Sequence, residues 1–261
     1  MGFVDVNGTR LWVETDGKGP AVLFLHGGLG DSRLWAPVAE RLADRFTTIR
    51  YDYRHYGRSD SPGGEFATVD DLFGVLDAAD ADRAALVGLS MGGAIALDAA
   101  LARPERVWAV AHVAGAVTGL PLDLASEEEY AEFEAAIERG DLDAAMEFDF
   151  RMWAPLGADE QLRDLWLATP DARGLPEDAT PTPPPPAHER LRDLAVPTLV
   201  VIATRDPEGL QEHGSTVARS MPGARLVELD SDHYLTLREP DRIAQLLAEF
   251  LTSSTPSSSS Y

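Results

Sequence analysis

The residues equipped for chemistry are a serine, a carboxylate and a histidine, in that chain order. Ser90 lies in Leu86-Val87-Gly88-Leu89-Ser90-Met91-Gly92-Gly93. The apolar run Ala84 to Leu89 predicts a buried strand, and the Ala-rich segment Met91 to Ala102 continues at helical spacing, so this Gly-x-Ser-x-Gly falls on a sharp strand-to-helix turn. Such a turn holds its serine in a sparsely populated backbone conformation, with the hydroxyl above the sheet edge. A serine hydroxyl is a poor nucleophile until a base takes its proton, and that base needs an acid to fix its tautomer and stabilise its cation. His233, in Asp230-Ser231-Asp232-His233-Tyr234, and Asp206, in Thr204-Arg205-Asp206-Pro207, meet that need. Asp230 or Asp232 is the rival to Asp206, disfavoured because an acid next to a histidine in sequence rarely reaches its Nδ1.

The elements that must position these groups alternate between strand and helix. Phe3 to Val6 and Thr9 to Glu14 flank Asn7-Gly8, which predicts a two-residue hairpin turn. Apolar runs at 21–25, 84–89, 107–113 and 197–203 predict buried strands, the first covered on both faces, and further strands are expected at 47–51 and 224–229. Helices are expected over 34–43, 69–80, 91–102, 210–221 and 240–251. This alternation implies a mostly parallel sheet with helices on both faces. Each of the three reactive residues falls where a parallel strand leaves the sheet.

The pattern changes near Thr118. Residues 118–190 hold acidic amphipathic segments at 127–139, 142–153 and 160–167 and no convincing buried strand, which predicts an inserted helical cap between core segments 1–117 and 191–252. The cap closes with Thr180-Pro181-Thr182-Pro183-Pro184-Pro185-Pro186, expected as an extended polyproline II connector. The Ser-rich stretch 253–261 is expected to be a disordered tail.

With 22 basic and 44 acidic residues, the formal charge of -22 disfavours nucleic acid and anionic membranes as partners. The absence of cysteine excludes disulfides, thiolate catalysis and cysteine-held metals. No apolar run reaches the roughly 18 residues of a membrane span, and no signal segment opens the chain, so the cytoplasm is the expected location. A metal reading of Asp230, Asp232 and His233 is weak, and Gly28-Leu29-Gly30 fails as a dinucleotide fingerprint because Arg33 stands where the third glycine belongs. No cofactor and no metal are called for.

These motifs together resemble the α/β-hydrolase family along essentially the whole chain. The resemblance rests on the opening hairpin, His26-Gly27-Gly28-Leu29-Gly30, the Asp-x-Arg-x-x-Gly-x-Ser loop from Asp52 to Ser59, the serine turn, the helical cap and the two late loops. It is strongest to compact bacterial esterases, enol-lactonases and cofactor-free perhydrolase-type members. It implies an eight-stranded α/β fold and an oxyanion hole made by the backbone N–H groups of Gly28 and Met91. One departure is His55, where relatives commonly have glycine after the arginine of the Asp-x-Arg loop; histidine tolerates left-handed backbone better than most side chains.

The remaining candidates concern the substrate. Phe148, Phe150, Met152, Trp153 and Trp166 are expected mainly as the cap's own core, with Trp153 facing Ser90 and with Leu29 and Met91 lining the floor. His26 is expected to brace the oxyanion loop, His112 to be a core residue, and His55, His188 and His213 to be exposed. The expected activity is hydrolysis of a small hydrophobic ester or lactone. C–C bond hydrolysis, perhydrolysis and a ligand-binding signalling role remain the alternatives, and oligomeric state is open.

Overall fold

In the computed structural model, which describes residues 1–170 and 175–255, strands alternate with helices as the apolar runs require. The strands are β1 (Gly2–Val6), β2 (Thr9–Asp16), β3 (Ala21–Leu25), β4 (Thr47–Tyr51), β5 (Gly64–Phe66), β6 (Ala84–Leu89), β7 (Val107–Val113), β8 (Ala179–Pro181), β9 (Thr198–Ala203) and β10 (Arg225–Leu229). The helices are α1 (Ala36–Leu42), α2 (Thr68–Ala78), α3 (Met91–Ala102), α4 (Glu127–Glu138), α5 (Leu142–Trp153), α6 (Glu160–Trp166), α7 (Glu208–Ser220), α8 (Leu235–Arg238) and α9 (Pro240–Ser254). Eight strands form one sheet in the order β1-β2-β4-β3-β6-β7-β9-β10. β2 runs antiparallel to both of its neighbours, and every other pairing is parallel. The Asn7-Gly8 turn joins β1 to β2 with both residues at positive φ, 45° and 77°.

Because successive side chains point to opposite faces, each central strand feeds two cores. Val22 and Phe24 of β3 join Val87, Val201 and the helices α1 and α9 on one side. Leu23 and Leu25 join Leu86, Val200 and helices α2, α3 and α7 on the other. The first core continues without a break into the helices between β7 and β9, through Met146, Phe150, Trp153 and Trp166. These helices are thus packed onto the same face that buries α1 and α9.

Three expectations are corrected. The first turn of the 34–43 helix is a 3-10 turn, Ser32–Trp35, because the Asp31 side chain accepts from Arg33 N, and the α-helix proper starts at Ala36 with Pro37 in its first turn. The connector 180–186 is not wholly polyproline II: β8 pairs in parallel with β5 in a ribbon outside the main sheet, and Thr182 N donates to Phe66 O at 2.7 Å. A proline is tolerated there because Pro181 closes the strand at an exposed edge. Finally, α9 extends through Ser254, with Ser253 and Thr255 hydroxyls donating to the Phe250 and Leu251 carbonyls, so the expected tail begins as helix. The rest of it, residues 256–261, lies outside the described residues.

Candidate active site

The turn after β6 is built by close approach of three backbones. A Cβ on Gly88 would collide with the Gly92 carbonyl, and one on Gly92 with the carbonyls of Leu25 and His26. Both positions therefore require glycine. Ser90 is held between them at φ 56°, ψ −120°, a conformation that costs on the order of 1–3 kcal/mol in a non-glycine residue. Its backbone is pinned on both sides. Ser90 N donates to Val113 O at 3.1 Å, and Ser90 O accepts from Gly93 N at 2.9 Å and Ala116 N at 3.0 Å. The second of these bonds begins α3. Met91 is the first residue of that helix, so its N–H has no carbonyl within the helix to bond and lies at the positive end of the helix dipole.

The loop after β3 is braced by a buried histidine. Tyr53 N donates to His26 Nε2 at 3.2 Å, so the ring proton is on Nδ1, which donates to Gly27 O at 2.8 Å. Complete burial lowers the pKa of His26, which keeps the ring neutral and this pairing intact. The Asp52–Ser59 loop is fixed in the same manner. Asp52 accepts from Ser32 N and Arg58 N, Arg54 forms a buried pair with Asp71, and Ser59 Oγ donates to Asp52 O. His55 adopts φ 72°, the left-handed conformation expected of the glycine it replaces. It is buried rather than exposed, with Nδ1 2.7 Å from Ser61 Oγ.

His233 Nδ1 is 3.0 Å from Asp206 Oδ2, and both side chains are almost fully buried. The rival acids are otherwise engaged. Asp230 is exposed and paired with Arg205 at 2.7 Å. Asp232 points away from the histidine, accepting from Arg238 at 3.0 Å, from Tyr234 N at 3.1 Å and from Leu156 N at 3.3 Å. Helix α5 also holds the histidine directly, because His233 N donates to Trp153 O at 3.2 Å and the two rings lie 4.4 Å apart.

Ser90, His233, Gly28, Leu29, Met91 and Trp153 all line one cavity of about 350 Å³. The structure thus brings every candidate residue but Asp206 to the cavity wall, with Asp206 directly behind His233. Of the other aromatics singled out, Trp166 is buried and donates to Asp149 at 2.6 Å, Phe148 packs 5.1 Å from Phe133, and Phe150 lies 6.5 Å from Tyr234. The sequence reading missed Tyr56, Thr118 and Leu122, which also line the cavity. Only Tyr56 carried a signal, as the residue just before the glycine of the Asp-x-Arg-x-x-Gly loop.

The profile of the alpha/beta hydrolase family matches residues 22–246. The chain belongs to that family. An epoxide hydrolase of Caballeronia sordidicola is 35% identical over 187 residues, 69% of this chain and 50% of that protein, so the chain spans about half of that relative's length. The enol-lactonase of Burkholderia xenovorans LB400 superposes with a TM-score of 0.71 at 26% identity, covering 96% of this chain and 99% of the other. A thermophilic esterase from Thermogutta terrifontis shares the fold, with a TM-score of 0.78 at 24% identity over 98% of this chain and 100% of the other.

Two more histidines of this alpha/beta hydrolase are buried, one against expectation and one in line with it. His213 is buried, not exposed: Val117 N donates to its Nδ1 at 3.2 Å, and its Nε2 donates to Pro121 O at 2.9 Å, fixing the chain as it leaves the core. His112 is buried as expected, bonded through Nε2 to Ala116 O at 3.0 Å, and burial lowers its pKa to about 4. The chain leaving β7 and the chain returning toward β9 are stitched together at Thr118. Its hydroxyl donates to Asp98 at 2.6 Å and accepts from Ala187 N at 2.9 Å, while its carbonyl accepts from His188 N. Among the described residues no helix is long and apolar enough to cross a membrane, and no group of three or more His, Cys, Asp or Glu side chains is arranged to hold a metal ion.

Proposed function

We propose that this protein is a serine hydrolase of uncharged carboxylic esters or lactones, with Ser90 as nucleophile, His233 as base and Asp206 as the group that orients it. The supporting observation is the 3.0 Å contact between His233 Nδ1 and Asp206 Oδ2 behind a cavity that Ser90 and His233 share. Ser90 Oγ attacks the carbonyl carbon as its proton passes to His233 Nε2. The Gly28 and Met91 N–H groups hold the resulting oxyanion. As the carbon–oxygen bond to the leaving group breaks, His233 returns the proton to that alkoxide. Water then attacks the acyl-enzyme, giving its proton to His233, and Ser90 leaves with that proton as the carboxylic acid is released. Asp206 stabilises the imidazolium at each stage.

The cavity's composition supports an uncharged substrate. Among the described residues no Asp, Glu, Lys or Arg lines it, so a substrate carboxylate would be desolvated without a cation to meet it. Ser90 also argues against epoxide opening through an alkyl ester, which needs a carboxylate at this turn. We read the insertion 118–190 as a cap whose Trp153 excludes water above the serine. The test is labelling by a fluorophosphonate probe with turnover of p-nitrophenyl acetate and butyrate, on the wild type and on Ser90→Ala. Labelling and turnover lost together in the variant support the reading. A wild type that neither labels nor turns over either ester refutes it.

A further inference from the structure

Beside the catalytic cavity lies a second, more enclosed chamber of about 210 Å³, walled mostly by Tyr51, Tyr53, Phe66, Thr68 and Ile95, with the Arg54–Asp71 ion pair on one side. Two residues, Tyr56 and Met91, line both spaces and form the partition between them. We propose that this chamber is a subsite for the distal apolar end of the substrate's acyl chain, with Tyr56 and Met91 as the gate that sets acyl-chain selectivity. The inference rests on the hydrolase reading above and names the substrate class for it.

The direction of the acyl chain follows from the chemistry. The leaving alkoxide must lie beside His233, which protonates it, so it occupies the side of the cavity closed by His233 and Trp153. The acyl chain leaves the same carbon on another side. Neither His233 nor Trp153 lines the second chamber, whereas Met91 does, and Tyr56 Oη lies 4.0 Å from the position a Cβ would take on Gly28. The chamber therefore opens from the oxyanion side, away from the leaving group.

The partition is made of parts that differ in stiffness. Tyr56 is held by ring contacts to His26 at 5.0 Å and Tyr53 at 5.9 Å. Its hydroxyl reaches Met91 Sδ at 3.9 Å. The methionine side chain has three rotatable bonds and an adaptable thioether, so it can swing aside while the Met91 N–H stays fixed at the start of α3. The chamber holds about seven groups of water size at roughly 30 Å³ each, enough for the outer half of an octanoyl chain. The apolar part of its wall contributes about fourfold in kcat/KM for each methylene it covers.

The experiment is a p-nitrophenyl ester series from acetate to octanoate on the wild type, Ile95→Phe and Thr68→Phe, with Ser90→Ala as the blank. Ile95 and Thr68 line the chamber and not the catalytic cavity. In the wild type, kcat/KM should rise from butyrate to octanoate by tenfold or more. In both filled variants acetate turnover should stay within about twofold while octanoate turnover falls at least tenfold. Because Thr68 is half-buried at the start of α2, its replacement keeps the test open should Ile95→Phe fail to fold. Tyr56→Ala should relax the gate and raise octanoate over butyrate further. Normal acetate turnover with no octanoate preference, or an octanoate rate untouched by filling, overturns the subsite alone. Loss of Ser90-dependent acetate turnover in the wild type overturns the hydrolase reading and the subsite with it.

Discussion

The floor and the roof of the candidate site are held by different kinds of force. The floor consists of the loops after β3, β4, β6 and β9, and its geometry is fixed by backbone: hydrogen bonds at Ser90 N and O and at Asp206 N, buried side chains bonded to loop amides, and glycines demanded by close approach. The roof is fixed by side chains. Trp153 reaches the site because α5 packs its apolar face on the core, while α4 beyond it carries Glu127, Glu128 and Glu129 in its exposed first turn. Backbone constraints tolerate almost no substitution, whereas packing tolerates many. The two meet at the His233 loop, where floor acid, roof carbonyl and seam carboxylate converge on neighbouring residues.

The strongest test of the floor is Asp206→Asn. The amide keeps the shape but favours the wrong tautomer of His233, so kcat for p-nitrophenyl esters should fall about 10⁴-fold with little change in Tm. A drop of tenfold or less would mean that the 3.0 Å contact is structural. Next in size is the seam. Asp232 is fully buried and ties Arg238, Tyr234 N and Leu156 N together. Asp232→Ala leaves the Tyr234 and Leu156 amides without this acceptor and Arg238 with only the Gly157 carbonyl, and denaturant unfolding should show a loss of about 2–3 kcal/mol. Activity measured well below the shifted midpoint should fall as well, because Leu156 follows closely on the carbonyl that holds His233 N. A stable variant with normal kcat would show that floor and roof are independent.

The same contrast decides what was legible in the sequence. Ser90 and Asp206 could be placed because they follow strands announced by apolar runs, β6 and β9, and His233 because it follows the strand expected at 224–229. His55 was legible through a single departure, since a histidine in a glycine position predicts the left-handed turn it adopts at φ 72°. Tyr56, Thr118 and Leu122 were not legible, because which side chains face a cavity depends on packing angles between elements far apart in sequence. The burial of His213 was hidden for the same reason, as its partners Val117 and Pro121 lie across the fold. β5 and β8 escaped because three-residue strands carry no usable period, and a proline-rich partner argues against pairing.

The roof's own contribution is smaller than that of the seam. Trp153→Leu removes part of the apolar surface over the cavity while keeping the backbone carbonyl that accepts from His233 N. KM for short esters should rise about tenfold, with kcat changed less than threefold, the pattern of an interaction made equally in ground and transition states. A fall in kcat with unchanged KM would instead assign the indole a role in positioning His233, 4.4 Å away.

The smallest effect is expected at Asp98, where the roof is hinged to the floor. Burial raises its pKa to about 6 despite the bond from Thr118 Oγ1. The folded protein thus holds the Asp98 proton more tightly than the unfolded chain does. This group's stabilising contribution is fully present below the ordinary carboxylate pKa and is lost as pH rises through about 6. Asp98→Asn removes that dependence while still accepting from Thr118. It also forfeits the stronger bond a charged acceptor makes, so the net gain at pH 7.5 should be about 1 kcal/mol. The difference from wild type should vanish below about pH 4, where both side chains are neutral. His112, whose low pKa makes acid destabilising, is common to both proteins and cancels. A gain that persists unchanged at low pH would mean that the charge on Asp98 is not what strains the hinge.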